Sequence, residues 1–73
     1  MKNAENLLKA AKEYDNKSME YFKYAEHEDD KEMQELWYKW MYEKDAKCAA
    51  MLEAYEIITG KKIKHFELIN MEF

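Results

Sequence analysis

Seventy-three residues with twelve lysines, no arginine and sixteen acids carry a formal charge of −4. That balance disfavours DNA or RNA as a direct partner, because nucleic-acid affinity is mainly cationic contact with phosphate. So short a chain buries a modest share of its apolar surface alone and usually needs a staple. A single cysteine, Cys48, cannot form an internal disulfide and no Cys/His cluster has zinc spacing, so self-association or a partner is the staple left over.

At 48% hydrophobic, 15% aromatic, no proline and one glycine, the composition is far from disorder and predicts one domain over 1–73 built of long helices. Met1 to Asn6 carries charge and amide where a signal peptide would be apolar. No stretch approaches the ~18 apolar residues of a membrane span. The expectation is a soluble cytoplasmic protein without a membrane partner.

The first helix is predicted over about residues 3–27. Ala4, Leu7, Leu8, Ala11, Tyr14, Ser18, Tyr21, Phe22 and Ala25 follow the three-four spacing of one helical face. As heptads, Ala4, Ala11, Ser18 and Ala25 take one seam position and Leu7, Tyr14 and Tyr21 the other, so small residues let a neighbouring helix approach closely. Asn3 is the expected N-cap, and Glu5 suits the positive end of the helix dipole.

The turn Glu26-His27-Glu28-Asp29-Asp30-Lys31-Glu32 follows, and Asp29 with Glu32 three places on reads as a capping box. The second helix is predicted over about 30–59. Its stripe is Met33, Trp37, Trp40, Met41, Cys48, Met51, Leu52, Tyr55 and Ile58, interrupted by Lys44, whose aliphatic stem could lie along the seam with the ammonium in water. Thr59 and Gly60 end it, and Lys61, Lys62 and Lys64 lie where the dipole is negative. For residues 61–73 two patterns compete. Ile63, Phe66, Ile69 and Phe73 would make a helical stripe, whereas Ile69, Met71 and Phe73 alternating with Asn70 and Glu72 would make a strand. An extended tail over 60–73, packed on the hairpin or on a partner, is favoured over a third short helix.

The fold class is therefore all-α: an antiparallel two-helix hairpin with a short C-terminal tail, pairing into a four-helix bundle. The pairing is expected from Leu36, Trp37, Tyr38, Trp40, Met41 and Tyr42, a run apolar or aromatic nearly all round the helix, which implies burial on more than one side. The competing expectation is that the tail covers this run within one chain. Trp37, Tyr38, Trp40 and Met41, with Tyr21 and Phe22 of the first helix, are the expected interface of a homodimer. Residues 26–35 hold six acids against Lys31, while Lys2, Lys9, Lys12, Lys61, Lys62 and Lys64 stand against Glu5 at the open end, so antiparallel copies would set unlike charges side by side. Glu28, Asp29, Asp30 and Glu32 make an acidic tip suited to a basic cleft on another protein, and taken alone they also read as a solvated turn.

Catalytic and cofactor motifs are few. Di-iron bundles take carboxylates from facing helices with a Glu-x-x-His pair, and there is no Glu-x-x-His here; His27 and His65 read as surface residues, and Glu13, Glu20, Glu43 and Glu53 as solvent-face carboxylates. The acidic tip could hold a metal only weakly. Cys48 lies on the apolar stripe, where a thiol is inert, Ser18 reads as a small seam residue, and the lone Gly60 forms no phosphate loop. The Met and aromatic stripe fits a packed core better than a ligand cavity. No catalytic residue and no cofactor is expected.

The run from Ala11 through Ser18, Tyr21-Phe22 and Ala25, then Glu43 and Leu52-Glu53-Ala54-Tyr55 to Thr59-Gly60, resembles one helical hairpin of the rubrerythrin or ferritin-like proteins. The resemblance covers about fifty residues and implies an antiparallel hairpin dimer. It departs at the metal ligands, with Asp15 near the place of the first-helix glutamate and Ala46, not histidine, three residues after Glu43. Two functions follow: a small non-enzymatic protein that self-associates and binds another protein, as a phage or mobile-element inhibitor would, or a degenerate ferritin-like bundle holding a metal or a small apolar ligand.

Overall fold

The computed structural model describes residues 2–73, with side chains described from Ala4 onward. Two long helices, α1 (Lys2–His27) and α2 (Lys31–Thr59), pack along each other as a helical hairpin, and a short α3 (His65–Ile69) lies against α1. The molecule is an elongated 45 × 20 × 17 Å. The N-cap expected at Asn3 concerns a side chain outside the described residues, and the helix itself already includes that position.

The seam follows from the small residues of α1. Ala4, Ala11, Ser18 and Ala25 are all buried, Ala11 and Ala25 completely, and Leu8 and Asp15 continue the same face. Without bulk on Cβ, these positions admit the larger side chains of α2, of which Met41 and Cys48 are buried. Ile58, expected on the α2 stripe, is instead 55% exposed, because the stripe has drifted off the contact line by the last turn.

Three residues join the long helices, and the N-cap of α2 is Asp30, not Asp29. Asp30 takes the extended conformation, and its Oδ1 accepts from the amides of Glu32 at 2.9 Å and Met33 at 3.5 Å. With Met33 three places on there is no reciprocal carboxylate, so the expected box reduces to a single cap. On the other side of the turn the Gln34 amide donates to the Ala25 carbonyl at 2.9 Å, tying α2 to the end of α1. Gly60 closes α2 at φ 75°, its N–H donating to Glu56 O at 2.7 Å.

The extended tail expected over 60–73 is corrected by α3. Glu67 reaches back to accept the Lys64 amide at 3.3 Å while its own amide donates to Lys64 O at 3.0 Å, which starts the turn. The buried member is Leu68, fully enclosed against Leu8, Ala11 and Cys48, with Ile63 and Met71 beside it. Phe66, Ile69 and Phe73, the stripe suggested by spacing, face outward. Lys12 fastens this segment, its ammonium donating to Met71 O and lying 6.0 Å from the Phe73 ring centroid. The segment therefore covers the open end of the hairpin and does not cover the tryptophans.

Leu68→Ala removes the one large side chain that is wholly enclosed among the described residues, and it should lower unfolding stability by ~2–5 kcal/mol in urea titrations. Gly60→Ala meets no atom within 4 Å, so its loss of ~1 kcal/mol would come from backbone conformation alone.

Candidate functional site

Five of the six expected interface residues fall on two flanks of the hairpin, and the sixth, Met41, lies in the seam between them. On one flank Tyr21 and Tyr24 of α1 meet Trp37 and Trp40 of α2: Tyr21 stacks on Trp37 at 5.7 Å, Tyr24 lies 5.0 Å from Trp37, and the two indoles meet edge to face at 5.2 Å. Trp37 is half-buried and its Nε1–H donates to Glu28 at 3.2 Å. Trp40 keeps 36% of its surface exposed. Much of the aromatic surface of this run is thus covered by the chain's own tyrosines. Farther along the same flank the ammoniums of Lys44 and Lys47 lie 5.6 and 5.7 Å from the Tyr14 ring centroid, so Lys44 ends over an aromatic face as well as at the surface.

Phe22 and Tyr38 belong to the opposite flank, where their rings meet at 6.4 Å, and Met41 is buried in the seam between the flanks. Here a groove of about 540 Å³ runs between α1 and α2, lined by Asp15, Ser18, Met19, Phe22, Lys23, Met41, Asp45 and His65. His65 and Asp15 close one end, and Phe22 and Lys23 stand at the other.

Four polar side chains of this groove are paired with one another. His65 Nε2 lies 2.7 Å from Asp15 Oδ1, joining α3 to a carboxylate that is only 6% exposed. The Ser18 hydroxyl, also buried, donates to Asp45 Oδ1 at 2.6 Å and links α1 to α2. A carboxylate taken from water needs such partners, and His65 supplies one from fifty residues away. His65, read from sequence as a surface residue, is indeed more than half exposed but is also the tether of α3. Spacing within one helix could not disclose this, since the partner lies on another element. Asp15 alone carried a signal: a carboxylate at the residue after Tyr14 sits among seam positions.

Cys48 lies beneath the same region, 4% exposed. Burial pushes its thiol up to about 11, with the carboxylates of Asp15 and Asp45 adding to the effect. A thiol in that range is protonated at neutral pH, and low thiolate content makes a poor nucleophile or metal ligand. Among the described residues no group of three or more His, Cys, Asp and Glu is placed to hold a metal ion, and no described helix is long and apolar enough to cross a membrane.

The acidic tip divides by task. Asp30 caps α2, and Glu28 accepts from Trp37 and, at 3.3 Å, from the Asp30 amide. Glu26 accepts from the Tyr38 hydroxyl at 3.0 Å. Asp29 and Glu32 are exposed. Five acids thus crowd one end of the molecule, three of them accepting hydrogen bonds and Asp29 and Glu32 turned to solvent. No protein-family model, curated protein or solved structure matches this chain.

Because the folded thiol of Cys48 holds its proton to higher pH than the unfolded one, the folded state binds more protons between about 9 and 11. Its contribution to stability is complete below the unfolded value and is lost as pH rises through that window. Wild type should lose more thermal stability between pH 9 and 11 than Cys48→Ala, and its alkylation by iodoacetamide at pH 8 should be slow until urea unfolds it.

Proposed function

We propose that this chain is a non-enzymatic interaction protein that pairs with a second copy and presents its acidic tip to another protein. In this reading the hairpins are antiparallel, their pairing assembles four long helices, and Asp29 and Glu32 offer negative charge to a basic cleft, as a factor of a phage or mobile element that inhibits a host enzyme would. The carrying observation is the large apolar surface left outside the hairpin. Tyr42 is 66% exposed and lies beside Tyr38 in an apolar furrow with Glu35, Lys39, Glu43 and Ala46, while Met19 and Phe22 stand half-exposed on α1. Single exposed apolar groups are ordinary, but a connected set on one flank marks an interaction surface.

The absence of an activated group among the residues best suited to chemistry supports a binding role. Cys48 is buried and protonated, and Ser18 is buried with its proton directed to Asp45. The ferritin-like resemblance enters this proposal only through the shape of the hairpin. No cluster of ligating side chains among the described residues favours the alternative of a metal-holding bundle.

Sedimentation equilibrium at micromolar concentration is the direct test. The expected species has twice the 8.9 kDa of one chain. A chain that stays monomeric at the highest soluble concentration, with its helices intact by circular dichroism, would remove the proposal.

A further inference from the structure

Self-association leaves open which flank is used, and the C-terminal segment answers it. The groove flank is covered over only part of its length. From His65 downward the chain's own α3 lies on α1, and beyond His65 the groove between Met19, Phe22 and Met41 is open. The side of α3 turned away from its own hairpin carries Phe66 at 62% and Ile69 at 47% exposure, and Phe73, past the end of α3, is exposed as well. One flank thus bears a raised apolar ridge at one end and an apolar hollow at the other.

We infer that a second copy docks on this flank with its long axis reversed, each α3 seating its outward face in the groove left open on the other chain. This rests on the self-association proposed above and specifies its surface. The fit is isologous, as a two-fold dimer requires, because ridge meets hollow twice. Lengths agree: the open groove follows α1 from Asp15 to Lys23, ~12 Å of helix, and the five residues of α3 span ~7.5 Å. The two α3 helices then form a middle layer between the hairpins.

Area and charge support a second copy as the occupant. Met19, Phe22, Phe66, Ile69 and Phe73, each roughly half exposed, present on the order of 500 Å² of apolar surface per chain if a large side chain carries ~200 Å². With a polar rim this approaches the ~800 Å² per partner of a stable interface. Reversal of the axes also sets residues 26–35, with six acids and one lysine, near the other chain's Lys61, Lys62 and Lys64, a run of connecting residues without an acid.

The test uses the full chain and two substitutions at exposed sites, Phe22→Lys in the hollow and Phe66→Glu on the ridge, with sedimentation velocity across a concentration series. Each alone should weaken the dimer by roughly 100-fold or more, since each removes an aromatic anchor and brings a charge into an apolar contact. An equimolar mixture of the two should restore half of the contact as wild type and place lysine against glutamate in the other half, so a heterodimer reappears. Helicity at 222 nm is expected to match wild type in every case; should Phe66→Glu lose it, Ile69→Glu on the same outward face replaces it. If both variants remain dimeric while Trp40→Glu becomes monomeric, the copies meet through the tryptophan flank, and the inference is overturned while self-association stands. A wild-type monomer would overturn both.

Discussion

Two helices packed side by side have a single line of contact, and everything else in this molecule is arranged around how little that line can hide. The α1 side of it is narrow, built on Ala4, Ala11, Ser18 and Ala25, which lets α2 come close but contributes little apolar volume. At the open end the deficit is made good by Leu68, a third-element side chain wedged against Leu8, Ala11 and Cys48. At the turn end it is met by aromatic rings, with Tyr21 and Tyr24 closing over Trp37. Between these solutions lies the polar stretch of Asp15, Ser18, Asp45 and His65, where the seam is held by directed bonds.

That division clarifies what polar residues do in so small an interior. A leucine in place of Asp15 would add apolar contact, but a leucine fits in more than one register. A carboxylate bound to His65 and a serine bound to Asp45 each satisfy only one alignment of helix on helix. In each pair one member is buried, Asp15 or Ser18, and the other reaches it from a neighbouring element, so the bond ties the seam to a particular neighbour. Above these pairs the walls of the groove, Met19 and Phe22, stay about half exposed.

The long helices were legible because their signals are local. Three-four spacing, the absence of proline, an acid at the N-cap and a glycine at the end lie within a few residues of what they determine, and the heptad of small residues named the buried seam. The N-cap moved by one residue because Asp29 and Asp30 are both competent acceptors and only the path of the turn chooses between them. The tail was expected to be extended because the alternation of Ile69, Met71 and Phe73 with Asn70 and Glu72 competed with a helical stripe over the same few residues; a short helix forms instead, and its buried member, Leu68, lay off the stripe that spacing suggested. The bond between His65 and Asp15 spans fifty residues and two elements, so no periodicity could carry it. The aromatic run was expected to be covered on more than one side; α1 covers part of it through Tyr21 and Tyr24, which spacing did not reveal, while Leu36, Trp40 and Tyr42 stay exposed.

The shortness of α3 has a consequence for how the chain behaves as a whole. Five residues are far too few to sustain a helix in water, where the cost of the first turn is repaid only over many more. This segment is ordered by what it leans on: the cavity that takes Leu68, the ring that finds Asp15 and the ammonium of Lys12. Its leash from Gly60 is only a few residues long, so the local concentration of the free segment at its dock is very high and rebinding outpaces escape. Coil-to-helix change at the carboxyl end and closure of the hairpin's mouth are therefore one cooperative event, and any spectroscopic label placed there would report the integrity of a scaffold whose first helix lies at the opposite end of the chain.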